Sequence, residues 1–328
     1  MSRAPRPLPS PPDPDSGPRI TVEPGASDVA LVHDGSLEGL LSAVFAAYEL
    51  RIIPGDIAGE SAFQPRLGQR VVPVDTDAAR AERVARGIAN AAGPAAFDAL
   101  RTASLSDDAD AGTIVYRFVR FVMDGRASHA YRRCPKRSCG GVGCAATNRC
   151  VLSNIAEPAV ADIVRLQRAV ANERHRMEQF LRFSHVEGGV WFARCSPAAS
   201  VVPLLMGHFR ARFGQEPFVI YDEAHRLAGL CDGRSWRLVP TEGIQAPAET
   251  EDERLMQDAW RRFYRSVSIE ARYHPELQRQ FMPRRLWANL TELFEELPTR
   301  GSAAAAQTPV PSKAGMKLSS AAGPCCQK

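Results

Sequence analysis

Residues 189–239 read GVWFARCSPAASVVPLLMGHFRARFGQEPFVIYDEAHRLAGLCDGRSWRLV, and this stretch decides the fold class. Gly189 to Arg194 has the β-branched and aromatic content of a strand. Pro203 to Phe213 follows as a short helix, begun by a proline, which is favoured in a first turn because it has no amide to leave unpaired. Phe218–Tyr221, Leu227–Cys231 and Trp236–Val239 are three short apolar runs separated by turn residues, among them Asp232-Gly233, and they predict an antiparallel meander.

On both sides of this stretch the apolar period changes to that of helices. Upstream, residues 158–183 place Ile163, Leu166, Val170, Met177, Phe180 and Leu181 on one stripe. The run TIVYRFVRFVM (113–123) is a second, strongly apolar helix. Nearer the start, the strand Asp28–His33 runs into Asp34-Gly35-Ser36. Leu37, Leu40, Leu41, Val44, Phe45 and Tyr48 then recur at helical spacing through Leu50. A strand or loop near 69–74, a helix opened by Asp75 or Thr76 and running to about Ile88, and a further helix beyond Pro94 complete this half. Downstream, Glu251–Arg272 and Pro283–Glu295 are expected as closing helices on either side of a turn at Pro275. Helices around one small sheet predict an α+β fold, mainly helical with a small antiparallel sheet.

The ends are different in composition. Residues 1–27 and 298–328 are rich in Pro, Ser, Gly and Ala and hold too little periodic apolar surface to offset the entropy of ordering them. Both are expected to be disordered tails around a single folded domain, 28–297. No run reaches the ~18 apolar residues of a spanning helix, and the start lacks a signal-peptide core, so a cytoplasmic location and no membrane association are expected. The net charge is +4, and only four of the 41 basic residues are lysines. Arginine suits phosphate and base contacts, although Arg, Ala and Pro also rise together in GC-rich genomes. Where the arginines cluster is therefore more informative than their number.

Four separated segments carry a resemblance: HDGSLEGLLSAVFAAYE (33–49); FLRF with GGVWFARCSP and VVPLLMGHFRARF (180–213); VIYDEAHRLAGLCDG (219–233); and IEARYHPELQRQFMPRRLWANLTEL (269–293). In order and spacing the chain resembles the bacterial "probable DNA metabolism protein" family. The resemblance implies a role in DNA metabolism or repair beside a radical-SAM protein partner, and DNA as the other partner. Some relatives are fused to a uracil-DNA glycosylase domain, but nothing after Leu297 matches one, so that activity is not carried over. The family offers no catalytic residues to transfer. The chain departs from its relatives at Ser196–Ser200, where they often carry Asp, His or Asn, and at a cysteine-rich insert, 132–153, that they usually lack.

That insert holds Cys134, Cys139, Cys144 and Cys150 at C-x4-C-x4-C-x5-C spacing. Four thiolates can close a tetrahedral zinc site or hold an iron–sulfur cluster, and idle surface thiols explain the same residues. The spacing is neither that of a common zinc ribbon nor the C-x3-C-x2-C of a radical-SAM enzyme. His33 and Asp34 at a strand end, with Glu38 one turn on, and His208 beside Arg210 and Arg212 are the catalytic candidates. A cap at the start of the helix explains the first group equally well. Asp222, Glu223 and His225 can supply acid–base groups or sit in a solvated turn. Near the end, arginines interleave with aromatics, and Arg272, Arg279, Arg284, Arg285 and Trp287 are the candidate nucleic-acid contacts: guanidinium groups for phosphates, rings for unpaired bases. Three functions remain open. The first is a DNA-repair component that binds nucleic acid through this region beside a radical-SAM partner. The second is an enzyme acting on a DNA base or nucleotide near His33, Asp34 and His208. The third is an adaptor with a structural metal loop.

Overall fold

A computed structural model describes residues 28–61, 63–124, 151–272 and 274–293. The two tails expected to be disordered, and the insert through Cys150, lie outside these residues, as do Cys134, Cys139, Cys144 and Cys150. The chain divides into two units, one ending at Met256 and the other beginning at Gln257.

The first unit opens with β1 (Val29–His33), α1 (Leu37–Glu49), β2 (Asp56–Gly59) and β3 (Arg70–Pro73). The three strands form a parallel sheet in the order β2-β1-β3, with Leu31 opposite both Ile57 and Val72. Three helices follow: α2 (Ala78–Ala92), α3 (Pro94–Ala103) and α4 (Ala111–Met123). The side chain of Asp77 caps α2 by accepting from the amides of Ala79 and Arg80, and Pro94 occupies the first turn of α3. The apolar side chains of β1, α1 and α4, including Leu31, Val44 and Phe118, make the main core.

α5 (Pro158–Phe180) is the longest helix described. Its early turns, with Val160, Ile163 and Leu166, join the main core, packing on α3 and α4, and α5 also packs against α6. The second sheet comprises β4 (Ser184–Val186), β5 (Val190–Cys195), β6 (Phe218–Asp222), β7 (Leu227–Cys231) and β8 (Trp236–Pro240), hydrogen-bonded in chain order. Between β5 and β6 lies α6 (Val202–Phe213). Beneath it Phe183, Phe209, Phe213 and Phe218 pack ring on ring at centroid distances of 4.7 to 6.0 Å.

The α+β class holds, and so does the meander β6-β7-β8, antiparallel throughout. The expectation of an antiparallel sheet is corrected in two places. β5 and β6 pair in parallel, Ala193 opposite Ile220, because the helix between them carries the chain back to the end of the sheet where β5 began. The β1–β3 sheet is wholly parallel; its strand β2 follows the Pro54-Gly55 break and has a single fully buried side chain, Ile57.

In the second unit, α7 (Glu251–Val267, continuing from the first unit) leads to a 3-10 turn at Glu270–Arg272, α8 (Pro275–Phe281) and a 3-10 helix at Arg284–Asn289. Within it, the Trp260 indole donates to Glu292 at 3.3 Å and the Arg261 Nε to the Thr291 carbonyl at 3.3 Å. Among the described residues no helix is long and apolar enough to cross a membrane.

Candidate functional site

In parallel sheets, ligand crevices form outside the carboxyl ends of the strands, where loops diverge and helix N-termini begin. β1 ends at His33 and β2 at Gly59, and both residues line a cavity of about 800 Å3. Its other walls come from the start of α1, the Ser104–Gly112 loop leading into α4, Ser200, and the β6–β7 turn with Ala224, His225 and Arg226. A second groove, of about 600 Å3, is lined mainly by apolar residues such as Val44, Phe45, Val84 and Met123 and holds no carboxylate or histidine. Of these two, the first cavity is the one with acid–base groups in its walls.

At the β1 end, Asp34 accepts from the Ser36 amide at 2.8 Å, the Ser36 hydroxyl at 2.6 Å and the Thr76 hydroxyl at 2.8 Å. Ser36 in turn caps α1 by accepting from the Gly39 amide at 2.9 Å. Gly39 has to be small here, since a Cβ would lie 2.2 Å from Asp34 Oδ1. These hydrogen bonds hold the Asp34 carboxyl below its ordinary range against the opposing effect of burial. Asp34 thus organises the turn, with both its oxygens engaged.

His33 is different. It is only 7% exposed, and its Nδ1 accepts from the Gly35 amide at 3.1 Å. Burial lowers its pKa, and the neighbouring Asp34 only partly opposes that shift. A neutral ring that accepts at Nδ1 carries its proton on Nε2, and this N–H has no acceptor among the described residues.

Across the cavity, His225 is bonded on both nitrogens. Nδ1 meets Asp222 at 2.6 Å and Nε2 meets Asp107 at 2.8 Å. Asp222 is fully buried and also accepts from the amides of Ala224 and His225 at 3.0 and 3.1 Å. Desolvation opposes the charge on the ring, but the two carboxylates outweigh it and raise the pKa to about 9. One cavity therefore holds a neutral histidine and an imidazolium at neutral pH. Close behind, the Cys195 thiol donates to the Tyr221 carbonyl, and burial, reinforced by Asp222 and Glu173, pushes its pKa far up, so it is no nucleophile.

The structure brings His33, Asp34 and His225 together and leaves His208 out: that ring is exposed on α6, edge-on to Phe209, and does not line the cavity. Asp107 is not marked out by the sequence. Its partner is 118 residues away, and its only local signal is the SLSDDAD run (104–110) between two helices. In the second unit Arg272, Arg279, Arg284 and Arg285 are exposed. Trp287, expected from sequence to be a stacking surface, is 5% exposed and donates its indole N–H to the Met282 carbonyl at 3.0 Å. The 3-10 turn folds its ring inward, with the Arg284 guanidinium 5.6 Å from the ring centroid. Among the described residues of this unit, the large apolar rings left exposed are Trp260, Phe263 and Phe281. Among the described residues no three His, Cys, Asp or Glu side chains group as metal ligands do.

No curated protein matches the chain. Residues 141–292 match the model of a family described as a domain of unknown function, DUF4130, which takes in α5, the second sheet and His225 but not β1, His33 or Asp107.

Proposed function

We propose that the chain is an enzyme of DNA metabolism that takes a DNA base or nucleotide into the cavity between His33 and His225. The observation that supports this reading is the opposite protonation of the two histidines in one polar cavity, since environments that drive titratable groups apart are how acid and base roles are assigned in a site. In this reading His33, kept neutral, donates its Nε2 hydrogen to a carbonyl oxygen of the substrate. Asp107, oriented by His225, accepts a proton from it or from a water molecule. The link to DNA and to a radical-SAM partner comes from the sequence resemblance and belongs to the same proposal.

The test is a panel of nucleosides, nucleotides and short single strands, followed by calorimetry and by chromatography for turnover. At least one member is expected to bind, with the affinity falling tenfold or more in His33→Ala. A chain that binds none of the panel, or whose His33→Ala variant binds equally well, overturns the reading.

A second reading is favoured by the exposure of Arg272, Arg279, Arg284 and Arg285 alongside exposed Trp260, Phe263 and Phe281. Residues 257–293 carry seven arginines against four carboxylates, so this unit is positively charged and suited to a polyanion. If it grips nucleic acid, the Arg284→Ala, Arg285→Ala double variant should weaken DNA binding. It should also lower the slope of log K against log salt by roughly 1 to 2, because each phosphate no longer neutralised by a guanidinium keeps about one counterion. An unchanged slope removes this surface from consideration.

A further inference from the structure

The cavity's internal hydrogen bonds engage most of the nitrogens and oxygens of its imidazoles and carboxylates, and the ones left without a partner among the described residues define a pattern. Asp34 has both oxygens engaged. Asp108 accepts from the Asp110 amide and from Arg165, each at 3.0 Å. Asp107 spends only Oδ1, on His225; its Oδ2 has no partner among the described residues, and its side chain is half exposed. Among the cavity's carboxylate oxygens this is the free one.

Three free donors are fixed in direction by ring or backbone, unlike the rotatable hydroxyls of Ser61 and Ser200 in the same cavity. The Nε2 hydrogen of His33, on a ring more than nine-tenths buried, has no acceptor among the described residues. The same is true of the amides of Leu37 and Gly112, in the first turns of α1 and α4, and both residues line the cavity. First-turn amides are unpaired by the geometry of the helix and favour an oxygen acceptor.

Three classes of ligand can be weighed against this pattern. A phosphate would find the donors, but its charge would face the Asp107 and Asp34 carboxylates in the same cavity. A divalent cation would find Asp107 without the further ligands it needs, since no cluster of three is present among the described residues. A neutral heterocycle with an N–H beside a carbonyl oxygen satisfies acceptor and donors together and leaves neither side desolvated and unpaired.

We infer that the cavity recognises the N–H and carbonyl edge of a neutral nucleobase, Asp107 Oδ2 accepting from the N–H and His33 Nε2 donating to the carbonyl oxygen, with the phosphate of a nucleotide left outside. Guanine, uracil and thymine offer this edge; adenine has no carbonyl, and cytosine has an acceptor in place of the ring N–H. The inference rests on the enzyme reading above, whose site it shares, and adds the substrate edge.

The experiment is calorimetric titration of the full chain with guanosine, uridine, thymidine, adenosine, cytidine, 1-methylguanosine, 3-methyluridine and inorganic phosphate. Guanosine or one of the two pyrimidines with the ring N–H is expected to bind at least tenfold tighter than adenosine and cytidine, and its N-methylated form should lose that tenfold. Phosphate alone should not compete. Asp107→Asn, checked for folding by its thermal transition, should weaken the favoured nucleoside by a similar factor. The methylated nucleosides keep the inference open to refutation with unaltered protein should that variant misfold. Equal binding of methylated and unmethylated forms, or displacement of the nucleoside by phosphate, overturns the inference while the enzyme reading stands. Binding of no nucleoside or nucleotide overturns both.

Discussion

His225→Ala should cost about 3 kcal/mol of stability at pH 6.5, and it should also remove a pH dependence that the parent protein shows above that point. Asp222 is fully buried, and the histidine supplies its only cationic partner among the described residues. Taking away one member of a buried pair leaves a charge that water cannot reach, which typically costs about 3 to 5 kcal/mol. The low end applies because the backbone amides of residues 224 and 225 still donate to Asp222 Oδ1.

The pH dependence follows from the raised pKa. With the folded-state value at about 9 and the ordinary value at 6.5, the bound proton contributes its full stabilisation below pH 6.5. Between 6.5 and 9 the unfolded chain releases the proton while the folded chain keeps it, and stability falls by about 1.4 kcal/mol per pH unit. By pH 9 roughly 3 kcal/mol is gone, which for a domain of this size lowers Tm by roughly 6 to 12 °C. His33 acts in the opposite sense: its lowered pKa makes folding disfavour the proton, so stability also declines below pH 6.5. Thermal melts from pH 5 to 9.5 should therefore peak near 6.5, and His225→Gln should flatten the alkaline limb alone. An alkaline limb that survives in that variant would detach it from His225.

Gly112→Ala should destabilise the chain by about 3 kcal/mol and impair ligand binding at the same time. A Cβ at Gly112 would lie 2.2 Å from the Ile57 carbonyl oxygen, a backbone atom of β2 that no rotamer change can move. α4 is held to this strand by the next residue, Thr113, whose hydroxyl accepts from the buried Ile57 amide at 3.0 Å. Relieving the clash means shifting the helix or the strand, and overpacking of this kind costs about 1 to 3 kcal/mol or somewhat more where backbone meets backbone. Urea unfolding measures the first effect and nucleoside titration the second. A variant with parental stability would show that α4 and β2 have room to separate.

How much of this was readable in the residues varied with the range of the interaction. β1, the turn at Asp34 and α1 were legible because strand, cap and helical stripe follow one another within about twenty residues. His33 and His225 were each singled out, but separately: nothing local says that the ends of two different sheets meet at one cavity. Asp107 carries no distinguishing local signal, because an aspartate in a Ser/Asp-rich loop looks like a turn until its distant histidine is in place. The parallel pairing of β5 and β6 was present in the strand–helix–strand order and was outweighed by the meander beside it. At Trp287 the alternation of arginine and ring suggested an outer face. The 3-10 turn brings successive side chains round at three residues per revolution and places this ring inside.

Cys195 gives the molecule a clock of its own. Its sulfur lies at the end of β5, hydrogen-bonded to the strand that carries Asp222, and its thiolate is strongly disfavoured while that strand is in place. Maleimide would then modify this position only in molecules whose β5–β6 pair has come apart, so the alkylation rate at saturating reagent counts openings. A ligand bridging His33 and Asp107 should slow that count, and do so in a protein carrying no mutation near the cavity.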